Sequence, residues 1–168
     1  MSPPLRRALR GLGVGALATV AMDLTAFVGR SLGVLAGASP DWVARWFGLV
    51  LRGAPITDDI RLAPDVGIGL PALLAVHYAI GAALGLLYVT LARGREHWAS
   101  ALAFALGTNV LPWLVMFPAM GFGLAGLAGP EDALLFRTSL VNHLGWGVGL
   151  VLALQIRARA TPTPAAVP

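Results

Sequence analysis

The chain contains no cysteine and no lysine, and few of its residues are charged. The absence of cysteine excludes disulfide bonds, thiolate metal sites and cysteine nucleophiles. All 12 basic residues are arginines, and they occur singly or in pairs, which argues against a nucleic-acid-binding face. Charged residues make up 12% of the 168 residues and hydrophobic residues 57%, against about 25% and about 45–50% in soluble domains. Because so few polar residues cannot cover a core in water, the sequence predicts a membrane protein.

Four apolar runs are long enough to cross a bilayer, which takes about 20 residues for a hydrocarbon core of about 30 Å. The sequence therefore predicts an all-α integral membrane protein, a four-transmembrane-helix bundle. One membrane domain is expected over residues 1–156, followed by a disordered cytoplasmic tail over residues 157–168. The predicted spans cover about residues 9–35, 67–91, 99–117 and 136–156.

The distribution of arginines orients the predicted bundle. Seven arginines lie in the N-terminal segment, the second connection and the tail, whereas four lie on the opposite side. Since cytoplasmic segments of membrane proteins are enriched in basic residues, both termini are predicted to be cytoplasmic.

The first outer loop is predicted to contain a short amphipathic helix. Ser39 is placed to cap its N-terminus, Pro40 suits the first helical position, and Asp41 suits the first turn. Trp42 and Trp46 lie on the apolar face. Tryptophans settle at the boundary between membrane and water, so the helix is expected to lie in the outer interface.

Several strongly polar residues occur within the predicted spans. Each costs about 2.5–3.5 kcal/mol if it is an Asp or Arg at mid-span, so these side chains are expected to face the bundle interior. Counted at about 1.5 Å per residue, they fall at similar depths in the middle and outer parts of the bundle. Met116, Met120 and Gly121 would stand just above them. The predicted polar cluster comprises Asp23, Arg30, His77, Tyr78, Asn109, Asn142 and His143.

Three interpretations of this cluster are open. In the first, the side chains satisfy one another and hold the helices together through interhelical hydrogen bonds. In the second, the cluster binds a small ligand or carries protons or a small solute. In the third, His77 and His143 bind a metal ion or haem, with Met116 or Met120 as further ligands. No cofactor is predicted, since nothing beyond depth pairs the two histidines, and no residue is predicted to be catalytic.

Small residues at helical spacing predict close approach between helices. Gly81 and Gly85 in the second span, and Gly145 and Gly149 in the fourth, follow the pattern of two small residues four positions apart. The pattern serves packing within the chain or a homodimer equally well, and the expected surroundings are a lipid bilayer.

The stretch GFGLAG after the third span matches the dinucleotide fingerprint G-x-G-x-x-G, from Gly121 through Gly123 to Gly126. That fingerprint follows a strand, opens a helix and has an acid about 20 residues further on. Here a span containing proline precedes it and residues 141–146 read VNHLGW without an acid. No dinucleotide is therefore predicted, and the segment is interpreted as a small-residue loop over the mouth of the bundle.

Four short motifs occur in a characteristic order: Met22-Asp23-Leu24, His77-Tyr78-x-x-Gly81, Pro118-x-Met120-Gly121-x-Gly123 and Arg137-x-Ser139-Leu140-x-x-His143. Together they resemble a bacterial inner-membrane family, domain of unknown function 2938, over about residues 5–155. The resemblance implies a small multi-pass protein of the bacterial cytoplasmic membrane to which no activity is assigned. By position it also implies importance for Asp23, His77, Met120, Arg137 and His143.

The resemblance includes one departure. Members of the family often carry a histidine in the first loop, where this chain reads Ile56-Thr57-Asp58-Asp59. If that histidine is a ligand in relatives, the metal interpretation is weaker here.

The expected function is that of a non-enzymatic multi-pass membrane protein whose intramembrane cluster packs the bundle and binds a small ligand. The candidate ligand-binding residues are Asp23, Arg30, His77, Tyr78, Asn109, Met120, Gly121, Arg137 and His143.

Overall fold

The computed structural model describes residues 2–35, 40–65, 67–129 and 133–160. Over these residues the chain is all-helical without strands, and four of its helices are long and apolar enough to cross a membrane. We call them span 1 (Pro3–Ser31), span 2 (Leu70–Ala92), span 3 (Trp98–Ala119) and span 4 (Leu134–Ile156). The predicted fold class, a four-helix membrane protein, is confirmed.

The ends of the first and last spans differ from those expected. Span 1 begins at Pro3, where a proline is tolerated because the N–H groups of the first helical turn have no partner within the helix. It ends at Ser31, before the predicted residue 35, because the chain turns at Gly33, which has a φ of +68°. The last helix continues through span 4 to Ala160, into the predicted tail. Residues 161–168 of that tail lie outside the described residues.

Span 1 packs against both span 2 and span 4, and span 3 packs on the other side of span 4. Glycines permit the close contact between spans 1 and 2: a Cβ atom on Gly85 would stand 2.6 Å from the carbonyl oxygen of Gly11 and would collide with the backbone of Gly15. On span 4, a Cβ atom on Gly149 would stand 2.5 Å from Ala21. The two pairs of small residues, Gly81 with Gly85 and Gly145 with Gly149, thus contact span 1 within the same chain.

The centre of the bundle is filled by one apolar cluster drawn from all four spans. Trp146 of span 4 is its largest side chain, and its indole N–H donates a 3.3 Å hydrogen bond to the hydroxyl group of Thr19 in span 1. The buried members are Val14, Ala18, Tyr88, Val89, Ala101, Ala105, Trp146, Leu150, Ala153 and Leu154.

The N-terminus and the second connection meet at one side of the bundle, which we call the terminal side. Arg10 of span 1 pairs with Glu96 at 3.2 Å. The hydroxyl group of Tyr88 lies 2.9 Å from that of Ser100, and the ring of His97 accepts a bond from Ala99 N–H at the start of span 3. These contacts fix the short turn between spans 2 and 3.

At the opposite side, which we call the loop side, the first and third connections build a second apolar cluster. Its buried members are Ile60, Ala63, Phe117, Met120, Phe122 and Leu135. The predicted amphipathic helix is present as Pro40–Leu51, and Trp42, Val43, Trp46 and Leu49 pack against this loop-side cluster. Its apolar face is therefore partly covered by the protein itself. The predicted cap, Ser39, lies outside the described residues.

The GFGLAG stretch is a turn onto which the first connection docks. Gly121 has a φ of +84°, and a Cβ atom there would collide with the carbonyl group of Asp58. The backbone N–H groups of Thr57 and Ile60 donate to the carbonyl oxygens of Ala119 and Met120 at 2.9 and 3.0 Å. The glycine thus serves a close approach of two backbones.

Candidate functional site

An acidic cluster joins spans 1 and 2. Atom Nε2 of His77 lies 3.0 Å from Oδ1 of Asp23, and the hydroxyl group of Tyr78 donates a 2.8 Å hydrogen bond to Oδ2. When Asp23 is ionised, its oxygens only accept hydrogen bonds, and Nε2 of His77 is then the donor of the first contact. We call these three residues the Asp23 cluster.

The order of residues in span 2 explains this geometry. His77 and Tyr78 are consecutive, so their side chains leave the helix about 100° apart and approach the carboxylate from two directions. Their rings meet edge to face with centroids 5.6 Å apart. A single acid in span 1 therefore holds two adjacent positions of span 2, and it fixes both the rotation and the height of one helix relative to the other.

The Asp23 cluster is open on one side. The side chains of Asp23 and His77 are 42% and 35% exposed, and within the described part of the chain no arginine forms a salt bridge with Asp23. A carboxylate has about four acceptor positions, so capacity remains beyond the two bonds it accepts. The arrangement can bind a cation or a hydrogen-bond donor from the open side.

A second polar cluster joins spans 3 and 4. Asn109 is only 1% exposed; its side-chain oxygen accepts a 2.7 Å bond from Ser139, and its amide group donates to the carbonyl oxygen of Leu106 at 3.0 Å. Atom Nδ1 of His143 lies 2.9 Å from the carbonyl oxygen of Ser139 and must carry the proton. The serine hydroxyl thus bonds to an amide rather than to the histidine ring, so the two do not form a nucleophile–base pair.

Span 3 is irregular beside this second cluster. It is α-helical over Trp98–Gly107 and π-helical over Pro112–Met116, because Pro112 lacks the N–H that would continue the α-helical pattern. Trp113, within the π-helical turn, stacks on Phe136 with centroids 4.7 Å apart. Its indole nitrogen is buried without a hydrogen-bond partner among the described residues. The proline was the only sign of this feature in the sequence.

The remaining candidate residues lie elsewhere. Arg30 is exposed and its Nε donates to the carbonyl oxygen of Ala26, in its own helix, at 3.2 Å. Met120 is fully buried in the loop-side cluster, and Gly121 contacts the first connection. Arg137 is exposed near the start of span 4. The structure thus separates residues that depth alone placed together.

The candidate metal ligands also divide between locations. His77 belongs to the Asp23 cluster and His143 to the second polar cluster, whereas Met116 and Met120 pack at the loop-side cluster. Across the described ranges, no three His, Cys, Asp or Glu side chains are grouped as a metal site would require. Asn142, also predicted within the polar cluster, has a buried side-chain oxygen with no hydrogen-bond partner in the described chain. Metal or haem binding by these residues, the third interpretation of the polar cluster, stays a hypothesis.

Comparison with known proteins gives one result. Residues 12–157 match the family described as "Protein of unknown function (DUF2938)", which confirms the resemblance seen in the four motifs. Neither the curated proteins nor the solved structures contain a match.

Proposed function

The chain belongs to this DUF2938 family of unknown function, and we propose that it is a non-enzymatic multi-pass membrane protein whose Asp23 cluster binds a small cationic ligand. One observation carries the proposal. Both oxygens of the Asp23 carboxylate are bonded to span 2, while 42% of that side chain stays exposed. The cluster therefore combines a structural role with a side that the described protein does not cover.

The chemistry of the cluster selects the kind of ligand. The Asp23 carboxylate is negatively charged when ionised, and a charge within a span is costly unless a cation offsets it; His77 supplies that cation only when its ring is protonated. Arg30 donates to Ala26 of its own helix, and its charge is not engaged with Asp23. A small ligand with an ammonium group would supply both the positive charge and N–H donors for the unused acceptor positions of Asp23.

Thermal unfolding in mild detergent tests this proposal with defined probes. Methylammonium chloride should raise the Tm of the wild-type protein more than tetramethylammonium chloride, which has the same charge and no N–H group. The variant Asp23→Asn should lose this difference, while Asp65→Asn in the first connection should keep it. Equal Tm shifts from both salts in the wild type, or an unchanged difference in Asp23→Asn, would refute the binding site.

A second candidate function, proton or small-solute transport, is favoured by the 3.0 Å contact between Asp23 and His77. An acid and a histidine at this distance can share a proton, and intramembrane pairs of this type occur in proton pathways. Flux in proteoliposomes under a pH gradient measures it. Asp23→Asn should abolish the flux while the protein still inserts, and undiminished flux in that variant would exclude this function.

We further propose that the protein lies in the bacterial cytoplasmic membrane with both termini in the cytoplasm. The pair between Arg10 and Glu96 supports counting the N-terminal and second-connection arginines on one side. Because the chain has no cysteine, single-cysteine labelling is free of background. Ile56→Cys, at a site 78% exposed, should react with an impermeant maleimide in spheroplasts, and Ser2→Cys only after lysis. The reverse pattern would overturn the orientation.

A further inference from the structure

A groove runs along spans 1 and 4 at the loop side of the bundle. Its volume of about 590 Å³ lies within the range of about 300–1,000 Å³ that is usual for small-molecule sites. One wall is a strip formed by Leu24 and Val28 of span 1 and by Leu32 directly after it, which are 60%, 52% and 70% exposed. At about 100° per residue, this strip lies on the side of span 1 away from Asp23, so the groove is separate from the Asp23 cluster.

The turn after span 1 closes one end of the groove. The N–H groups of Val34 and Leu35 donate to the carbonyl oxygen of Gly29 at 3.0 and 3.1 Å. Leu35 is only 6% exposed and packs over Gly29, whose missing side chain makes room for it. The groove is therefore shallow and open toward the outside of the bundle, and backbone hydrogen bonds fix the turn at its end.

Among the described residues, Arg137 is the one charged side chain that lines the groove. It lies three residues after the start of span 4, about 5 Å along the helix, which is close to the level of lipid head groups. Arg137 forms no salt bridge with any of the described residues. The basic partners of the salt bridges in this part of the chain are Arg10, Arg45, Arg61 and His77. A guanidinium group at the edge of an apolar groove is suited to bind an anion that carries a hydrocarbon chain.

We propose that this groove holds an acyl chain of an anionic phospholipid, with the lipid phosphate paired to Arg137. The hydrocarbon chain would follow the strip from Leu32 to Leu24, about 12 Å along span 1, and would cover side chains that are otherwise open. The phosphate would supply the negative charge that Arg137 lacks among the described residues. Basic pockets between transmembrane helices bind anionic head groups on the cytoplasmic side of membranes, and the same charge pairing between guanidinium and phosphate applies at the loop side.

Lipid titration followed by native mass spectrometry tests the proposal. The protein in mild detergent is titrated with phosphatidylglycerol or phosphatidylcholine of the same acyl composition. The wild type should bind one phosphatidylglycerol molecule about fivefold more tightly than phosphatidylcholine. Arg137→Gln should bind both lipids equally, and Val28→Trp, which fills the groove from an exposed position, should lose tight binding of either lipid. The matched controls Arg52→Gln and Leu17→Trp, at exposed positions outside the groove, should bind like the wild type.

Four results would overturn the proposal. The first is an unchanged preference for phosphatidylglycerol in Arg137→Gln, and the second is unchanged binding in Val28→Trp. The third concerns the occupant: glycerol 3-phosphate that raises the Tm as much as phosphatidylglycerol would show a site for the head group alone. A wild-type dimer that Val28→Trp converts to a monomer, without lipid, would instead assign the groove to a second copy of the chain.

Discussion

Ser139 of span 4 donates a 2.7 Å hydrogen bond from its hydroxyl group to the side-chain oxygen of Asn109 in span 3. Asn109 is 1% exposed and Ser139 is 7% exposed. If either residue loses its partner, water cannot easily reach the other to form a replacement hydrogen bond. Spans 3 and 4 also meet through small residues such as Ala105 and Gly147. This bond therefore fixes the register between the two helices.

We predict that Ser139→Ala and Asn109→Ala each lower the free energy of unfolding and that their effects are coupled. An interhelical hydrogen bond in a membrane protein contributes about 0.6–2 kcal/mol, and a double-mutant cycle measured by SDS-induced unfolding should return a coupling energy in that range. Ser31→Ala is the matched control, because that exposed hydroxyl bonds only to its own helix, at Phe27. Strictly additive effects of the two substitutions would contradict the assigned bond.

Substitution of Gly85 by alanine should destabilise the protein by about 1–3 kcal/mol, because the added methyl group meets the backbone of span 1 at Gly11 and Gly15. Gly107→Ala is the same change within span 3, at a position where no atom lies within 4 Å of the new methyl group. It should leave the stability unchanged or raise it by up to about 1 kcal/mol through helix propensity. Unfolding in SDS measures both, and equal effects would show that spans 1 and 2 are not in backbone contact.

Gly121→Ala should release the first connection from the end of span 3. The substitution combines a strained backbone with a collision at Asp58. Gly53→Ala is the matched control: it has a φ of +75° but no atom within 4 Å, so it imposes only the strain of about 1–2 kcal/mol. Limited proteolysis of the first connection should be faster in Gly121→Ala than in Gly53→Ala. Equal rates would mean that the docking contact does not restrain the loop.

The stabilisation from the turn at Asp59 should disappear at acidic pH. Hydrogen bonds from the Arg61 side chain, at 2.7 and 2.8 Å, hold the pKa of Asp59 below its usual value of 3.8. Since the pKa is lower in the folded state, the stabilisation is complete above pH 3.8 and is lost as the pH falls through the folded-state pKa.

The Tm difference between the wild type and Asp59→Asn should therefore be constant near neutral pH and should shrink below pH 3.8. The difference should be small, because the pair is exposed, and 1 M NaCl should reduce it at neutral pH. A difference that grows as the pH falls would contradict the assigned role of Arg61.

The spans could be predicted from the sequence because hydropathy sums over about 20 residues and tolerates local exceptions. The contents of the polar cluster could not be predicted from depth alone, since depth gives height along a helix and says nothing of direction around it. Arg30 illustrates the error: it lies seven residues after Asp23 on the same face, yet its guanidinium group bonds to Ala26 in its own helix. Tyr78 is the opposite case, because its hydroxyl group reaches Asp23 directly.

Contacts distant along the chain were also beyond the sequence pattern. The docking of the first connection onto Ala119 and Met120 depends on backbone hydrogen bonds, which leave no side-chain signature. Gly121 could be recognised as a conformationally special residue, but its partner, Asp58, lies 63 positions earlier in the chain. The apolar face of Pro40–Leu51 was correctly identified, whereas its packing against the loop-side cluster required the three-dimensional arrangement.

The packing of spans 1 and 4 at the middle of the bundle bears on how the protein is assembled. Spans 1 and 2 form one helical hairpin and spans 3 and 4 another, and the main contact between the hairpins is that of span 1 with span 4. Of these four spans, span 4 is synthesised after the other three, and it is the one that unites the two halves. The gene can therefore be divided at the short turn around Arg95, so that each fragment encodes one hairpin. When the two fragments are co-expressed, we expect them to associate through the same faces of spans 1 and 4 that are in contact in the intact chain.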